Sequence, residues 1–317
     1  MDFTNPNVRE ESRALTGWLR NTAVDLAVFN RYGLNASGEH LHFRAMQSAG
    51  SSAVSSAFYD GFYSTLDTLN SVRKVATLLE TSDGDPLTVP TTADSESAVL
   101  LGENADMTTE EIEVGNFTLA AYKYTSKIVK LSNELVKDAT PSFLSHLGKV
   151  LGNRISRISN LHFTVGTGTN QPQGIVTGST LGHTAGSASV ITYDDLVELQ
   201  HSLDAALWAS SGWMMSAPTF KAIRTLDDGN GNLAFQNGRL LGMPVHFNPA
   251  MPAIGASAKP ILVGDFGQYL IREAGGLSVR RYAERFAEYD QTGVAAILRT
   301  DGRLAVPTAV RHLVMSS

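Results

Sequence analysis

The sequence predicts an α+β fold, with helices and strands segregated along the chain instead of alternating as βαβ units. Three observations carry this. One long amphipathic helix follows Pro141, residues 277–315 read almost entirely as strands, and residues 81–110 form a polar, turn-rich stretch with neither period.

In chain order, the first element is a helix. Leu15, Trp18, Leu19, Thr22, Leu26 and Phe29 recur at three- and four-residue steps over 10–29, and Tyr32-Gly33-Leu34-Asn35 ends the run. Residues 35–57, rich in Ser, Ala and Gly, read as a connector. Strand-like pieces at 73–80 and 117–129 flank the odd stretch, which holds Pro86, Pro90 and the acidic run Gly102-Glu103-Asn104-Ala105-Asp106. Two strands joined by so long a polar segment predict a protruding hairpin, or tongue, and loops of that length usually have a function.

Thr140 is a good N-cap, and Pro141 takes the first helical position, where its missing N–H costs nothing. Phe143, Leu144, Leu147, Val150, Leu151, Ile155, Ile158 and Leu161 then form an apolar stripe, with Lys149, Arg154 and Arg157 off it. The expected rod is about 30 Å long. It stops at the glycine-rich segment 166–175. A second helix starts at Thr192, with Asp195 completing a capping box and Leu196, Leu199, Leu203 and Leu207 facing inward. A short helix begins near Pro218, residues 227–232 are an exposed loop, and 242–247 and 261–266 are strand-like. The last strands are expected at 277–286, 293–299 and 309–315, with Asp301-Gly302 as a turn.

Composition narrows the function. The 317 residues suffice for one large domain or two ordinary ones, and 43% hydrophobic against 18% charged residues gives a real core. A net charge of -6 argues against sequence-independent nucleic-acid binding, and zero Cys removes disulfides, thiolate metal sites and cysteine nucleophiles. No apolar stretch is long enough for a membrane helix, and the polar N-terminus has no signal core, so a soluble protein made inside the cell is expected.

Motifs for chemistry are tested and mostly fail. The eight histidines lack metal-ligand spacing. No G-x-S-x-G elbow occurs, and Ser216, before Ala217-Pro218, suits a helix cap. The segment from Gly166 lacks the Gly-Lys-Ser/Thr of a phosphate loop and follows a helix, so it reads as a helix exit and turn. The loop Asp228-Gly229-Asn230-Gly231-Asn232 resembles half a calcium loop, but Leu233 and Arg239 stand where Gly and Glu are required. No catalytic residue, metal or cofactor is expected.

Four pieces of sequence do carry a resemblance. They are Leu131-Ser132-Asn133-Glu134-Leu135-Val136-Lys137-Asp138, the helix running into Gly166-x-Gly168-x-x-Gln171-Pro172-x-Gly174-Ile175, Leu241-Gly242-Met243-Pro244-Val245, and Ile261-Leu262-Val263-Gly264-Asp265-Phe266 followed by Tyr269-Leu270-Ile271. In that order and spacing, residues 46–314 resemble the major capsid proteins of tailed bacteriophages with the Hong Kong 97-type fold. The resemblance implies an N-terminal arm (1–70), an extended loop or tongue (77–115), a peripheral domain with a long spine helix (71–76, 116–189 and 277–307) and an axial domain (190–276 and 308–317). It implies a non-enzymatic protein that self-assembles through pentamers and hexamers into an icosahedral virion shell in the bacterial host cytoplasm. That shell would enclose DNA without sequence-specific binding and touch no membrane; portal, scaffold and decoration proteins are the further partners it admits. Subunit-contact candidates are Trp18 and Phe29 on the arm, Pro86, Leu87, Val89, Pro90, Leu100 and Glu103 on the tongue, and Asp228 and Asn230 on the axial loop. Some members weld neighbours through a tongue Lys and a C-terminal Asn. Here no Lys lies between Val75 and Tyr122 and no Asn after Asn248, so no isopeptide crosslink is expected. An encapsulin-type nanocompartment shell and a soluble α+β hydrolase are the alternatives.

Overall fold

The computed structural model describes residues 56–92, 114–137, 141–227 and 229–317. The helix expected at 10–29 with Trp18 and Phe29, the connector as far as residue 55, Leu100, Glu103, Thr140 and Asp228 lie outside the described residues.

Among the described residues, helix α1 (Ser56–Leu69) comes first, followed by strands β1 (Thr77–Thr81), β2 (Leu87–Thr92), β3 (Val114–Leu119), β4 (Tyr122–Thr125) and β5 (Val129–Ser132). Helices α2 (Asn133–Lys137), α3 (Pro141–Val165) and α4 (Ile175–Gly178) come next, then β6 (Thr180–Thr184), α5 (Tyr193–His201), β7 (Gly212–Met215) and α6 (Ala217–Ile223). The remainder is β8 (Phe235–Gln236), β9 (Arg239–Leu240), β10 (Met243–Phe247), β11 (Ile261–Gly264), β12 (Tyr269–Ala274), β13 (Ser278–Tyr282), β14 (Gln291–Leu304) and β15 (Val310–Val314).

Among the described residues these strands form three sheets. A six-stranded sheet runs β1-β12-β14-β13, with β4 and β5 on the other edge of β14; a seven-stranded sheet runs β6-β15-β11-β7-β10-β9-β8; and β2 and β3 form a two-stranded ribbon. β14 is central because its residues 293–298, Gly-Val-Ala-Ala-Ile-Leu, are apolar or small and buried on both faces.

The six-stranded sheet has two chemically different sides. Val294, Ala296 and Leu298 point into a core with α1 and α3, built from Phe58, Phe62, Leu66, Leu144, Leu151 and Ile155. Tyr269, Ile271 and Leu304 continue that side into a second cluster that also holds Phe163 and Met214. The alternate residues Arg272, Arg299 and Arg303 point the other way, toward the ribbon and its approach.

Helix α1 was not expected within the span read as arm and connector. Phe58, Phe62 and Leu66 recur every fourth residue and bury one face against α3. The two helices run in the same direction, with Phe58 beside Gly148, Phe62 beside Gly152 and Asn70 beside Ser159. Glycines permit this approach: a Cβ on Gly148 would overlap the Phe58 carbonyl oxygen, one on Gly152 would stand 2.7 Å from that of Phe62, and one on Gly61 2.5 Å from that of Ser145.

Along α3 the expected apolar stripe holds only through Ile155. Beyond it the buried face is mostly polar (Ser156, Ser159, Asn160, Thr164) with Phe163 as its apolar member, while Ile158 and Leu161, expected inside, are 38% and 43% exposed. The cause is a hydrogen-bonded joint. Asn160 Oδ1 accepts from the Ser71 and Val72 amides, its Nδ2 donates to Asn248 Oδ1 at 2.9 Å, and Asn248 Nδ2 donates to Thr164 Oγ1 at 2.8 Å. Asn248 also accepts from the Ala250 amide. The network ties the end of α1, the C-terminal turns of α3 and the segment after β10 together, and every amide group of both asparagines is engaged.

Several local expectations hold. The Thr192–Asp195 capping box is formed, with the Asp195 carboxylate accepting from the Thr192 amide at 2.8 Å. Segment 166–175 is a helix exit: the Gly166 amide donates to His162 O, the Gly174 amide to Gly166 O, and Asn170 and Gly168 have positive φ. Asp301-Gly302 is corrected. It is no turn but lies inside β14, opposite Arg272 and Ile271. Its glycine answers crowding, since a Cβ there would stand 2.6 Å from Tyr269 Oη and 3.0 Å from the Phe163 ring. The tongue also differs. β1 pairs in parallel with β12, and the hairpin partners are β2 and β3, so the Pro-containing stretch read as loop is a strand in an isolated ribbon that tolerates Pro90. Two strands fall in sheets other than their sequence ranges suggest: β12 joins the six-stranded sheet, and β6 the seven-stranded one.

His312, on β15, is 5% exposed, and its Nδ1 lies 2.9 Å from Ser179 Oγ, whose hydroxyl also contacts Val176 O. Burial, aided by the charge of Lys259, pushes the imidazole down to about 4. The folded value lies below the unfolded one near 6.5, so the fold favours the neutral ring. Its contribution to stability is whole above about pH 6.5 and declines as pH falls toward 4, by about 3 kcal/mol at most. Melting temperatures of wild type and His312→Gln should therefore converge between about pH 7 and about pH 4.5, and parallel curves would refute the assignment.

Candidate assembly surfaces

The ribbon is amphipathic by register. Leu87 pairs with Leu119 and Val89 with Phe117 on one face, while Thr88, Pro90, Asn116 and Thr118 make the other. Leu119 and Phe117 are buried, Leu87 and Val89 are half-buried, and Pro86 and Pro90 are exposed. Of the tongue candidates in the described residues, Pro86 and Pro90 thus present themselves to solvent, whereas Leu87 and Val89 belong to the apolar face. On the other candidate surface, Asn230 is exposed beside the positive-φ glycines Gly229 and Gly231. A β8–β9 hairpin with Asn237 and Gly238 in positive φ follows it.

The root of the ribbon is clamped by charged side chains on β12 and β14. Arg272, 2% exposed, donates from Nη1 to Leu119 O at 2.9 Å and to Ala120 O at 3.3 Å, from Nη2 to Asp83 O at 2.9 Å, and from Nε to Thr81 Oγ1 at 3.0 Å. Asp301, opposite Arg272 in the strand register, accepts from the Ala120 amide at 2.6 Å. Burial pushes the Asp301 carboxyl up, opposed by the hydrogen bonds from Gly302 and Ala120 and by the Arg272 and Arg303 charges. Arg303 lies over the Phe117 ring at 5.2 Å. A single arginine thus satisfies carbonyls from both chain segments entering the tongue.

This clamp was not identified from the sequence. Its signal was a charge pair, Arg272 and Asp301, inside two strand patterns, the second disguised by its turn-like Gly. A second buried charge, Arg73, bonds Asp67 and Glu273 and joins the end of α1 to β12; burial raises the Glu273 carboxyl, opposed by Arg73.

Exposed apolar side chains mark further surfaces. Phe247, 51% exposed, meets Phe220 edge-on at 5.0 Å, with Phe235 on Phe220 at 4.9 Å, beside the β8–β9 hairpin. Leu135 and Tyr289 flank the contact in which Asn133 donates to Asp290. On α3 the outward stripe carries Lys149, Arg154 and Arg157 before Ile158 and Leu161. Among the described residues no group of His, Asp and Glu could hold a metal ion.

Comparison with known proteins gives consistent matches. The model of the Phage capsid family matches residues 50–315. The chain is 28% identical over 234 residues to the major capsid protein of Klebsiella oxytoca phage phiKO2, covering 69% of this chain and 52% of that protein, so it spans about half the length of this curated relative. Among solved structures, the capsid of a native GTA particle superposes with a TM-score of 0.67 at 22% identity, covering 90% of this chain and 99% of that one. A structure from Mycobacterium phage Adephagia gives 0.60 at 18% identity, covering 93% and 99%.

Proposed function

The chain belongs to the phage capsid family, and on that premise we infer that it is a major capsid protein whose copies build the icosahedral shell around the double-stranded DNA of a tailed bacteriophage. The architecture is that of the Hong Kong 97-type fold. The observation that carries the functional reading is the ribbon. A subunit that clamps the root of a two-stranded ribbon with buried charges, yet leaves Pro86, Pro90 and the outer face in solvent, is built to hold that ribbon out toward something else.

The parts take the following roles. The arm ends before α1, which is part of the subunit's own core. Residues 77–115 form the tongue that lies over a neighbour. The six-stranded sheet with α1 and α3 is the peripheral domain, and the seven-stranded sheet with α5, α6 and the loop around Asn230 is the axial domain. Contacts between copies are non-covalent. Weak individual interfaces keep assembly reversible while errors are corrected, and closure holds each subunit by several neighbours at once. Assembly in the host cytoplasm, with portal, scaffold or decoration proteins, belongs to the same reading.

Electron microscopy of the concentrated protein tests it: closed shells are expected, and a monomer under all assembly conditions would sink it. The tongue has its own test. β2 and β3 are in register up to Thr92 and Val114, so an Asn-Gly turn can replace residues 93–113 without disturbing the ribbon. The shortened chain should melt within a few degrees of wild type and form no stable shells. Shells of normal stability would show that the tongue does not link neighbours.

A further inference from the structure

The strands of the six-stranded sheet distribute charge unequally between its two faces. Residues opposite each other in a ladder project to the same side. Lys123 pairs with Arg299, Lys130 with Gly293 and Arg280 with Ala295, so all three join Arg272, Arg299 and Arg303 on the side from which the ribbon leaves. Against these six cations the strands place one carboxylate on that side, Asp301, which is buried and accepts from the Ala120 amide. Glu80 and Glu273, the other acids of these strands, pair with each other on the helix side.

Three of the six cations are used within the subunit. Arg272 holds the carbonyls of the tongue root, Arg303 lies over Phe117, and the Arg299 guanidinium fills the space beside Gly84 and Gly275. Lys123, Lys130 and Arg280 are exposed and form no ion pair among the described residues. Lys130 lies 4.9 Å from the centre of the Phe286 ring, which orders its side chain without neutralising it.

The complementary charge lies in one stretch of sequence. Residues 93–113, which join β2 to β3, hold seven acidic residues, from Asp94 to Glu113, and no basic one. The rest of the chain, with 24 of the 31 acidic residues and all 25 basic ones, is close to neutral. Thr92 and Val114, where this stretch starts and ends, lie five residues along the ribbon from the Leu87–Leu119 pair, about 17 Å from the root. Copies in a closed wall are related by rotations about axes that cross the wall, and such rotations never turn a tile over. A ribbon that leaves one face of its sheet therefore meets a neighbour on the equivalent face.

We propose that the ribbon-side face of the six-stranded sheet, through Lys123, Lys130 and Arg280, receives the acidic segment 93–113 of a neighbouring copy. This rests on the shell reading and adds to it which surface takes the tongue and by what chemistry. Each exposed ion pair is weak and screened by salt, and repetition over the wall makes the sum substantial.

Charge reversal tests it. Lys123→Glu with Arg280→Glu should melt within a few degrees of wild type, because both side chains are exposed. It should nevertheless raise the protein concentration needed for shells about tenfold at about 50 mM salt, and the difference should vanish near about 1 M salt. Glu96→Lys with Glu103→Lys should behave alike, and all four changes in one chain should restore assembly. The chain has no cysteine, so Arg280→Cys with Glu103→Cys in one chain identifies the partner. Oxidised shells of that variant should run as a ladder of multimers on a non-reducing gel. If the reversed face variant does not fold, Lys123→Gln alone should give a smaller rise that is likewise abolished by salt. A wild-type concentration requirement in the face variants, no restoration by the fourfold variant, or a gel of single chains overturns the proposal and leaves the shell reading standing. If wild type itself forms no shells, both fall together.

Discussion

Gly148→Val should be the most damaging single substitution in the helical core. The new side chain begins where the Phe58 carbonyl oxygen lies, and neither backbone can yield, because Gly61 and Gly152 hold the same two helices together on either side. The helices must separate and lose contacts of Phe58, Phe62 and Leu66. A cost of about 3–4 kcal/mol is expected, lowering the melting temperature by on the order of 10 °C and cutting soluble yield. Lys149→Val, one residue away and exposed, should shift melting by no more than a degree or two. Equal effects from the two would show that the close approach is not what makes the glycine necessary.

Arg272→Met should separate folding from assembly. Methionine fills most of the volume but leaves the carbonyls of Asp83, Leu119 and Ala120 without their donor and Asp301 beside one fewer cation. Stranding buried acceptors in this way costs about 3–5 kcal/mol, concentrated at the tongue root. β12 and β14 keep their ladder, so the subunit should remain folded by circular dichroism. Proteolysis near residues 82–84 and exchange of the Ala120 amide should accelerate, and shells should fail to form. Unaltered exchange at Ala120 with normal shells would mean that the clamp is dispensable.

The sequence foretold elements whose signals are local. Pro141 and the three- and four-residue steps of Leu144, Leu147, Leu151 and Ile155 announce α3, and Thr192 with Asp195 announces the start of α5. It misled where tertiary packing decides. Asp301-Gly302 has the composition of a turn, but its glycine serves close approach to Tyr269, and its aspartate serves the tongue root. Ile158 and Leu161 fit an apolar stripe, but the inner face there is shared by the polar joint of Asn160 and Thr164 and by Phe163, and neither Ile158 nor Leu161 falls on it. The solvent exposure of Pro86, Pro90 and Asn230 was legible because proline and loop asparagine tend to solvent. The clamp was not, since a strand arginine gives no hint of which distant carbonyls it will meet.

The asparagine joint has a consequence for geometry at a larger scale. Oily surfaces can slide over each other at little cost, but Asn160 and Asn248 are satisfied in one relative orientation, and a small rotation would break several directional bonds at once. The angle between the two halves of each building block is therefore fixed before it meets any neighbour. On the shell reading, differences between five-fold and six-fold surroundings are then taken up outside this joint, and the radius of the finished particle is in part set by two amide side chains.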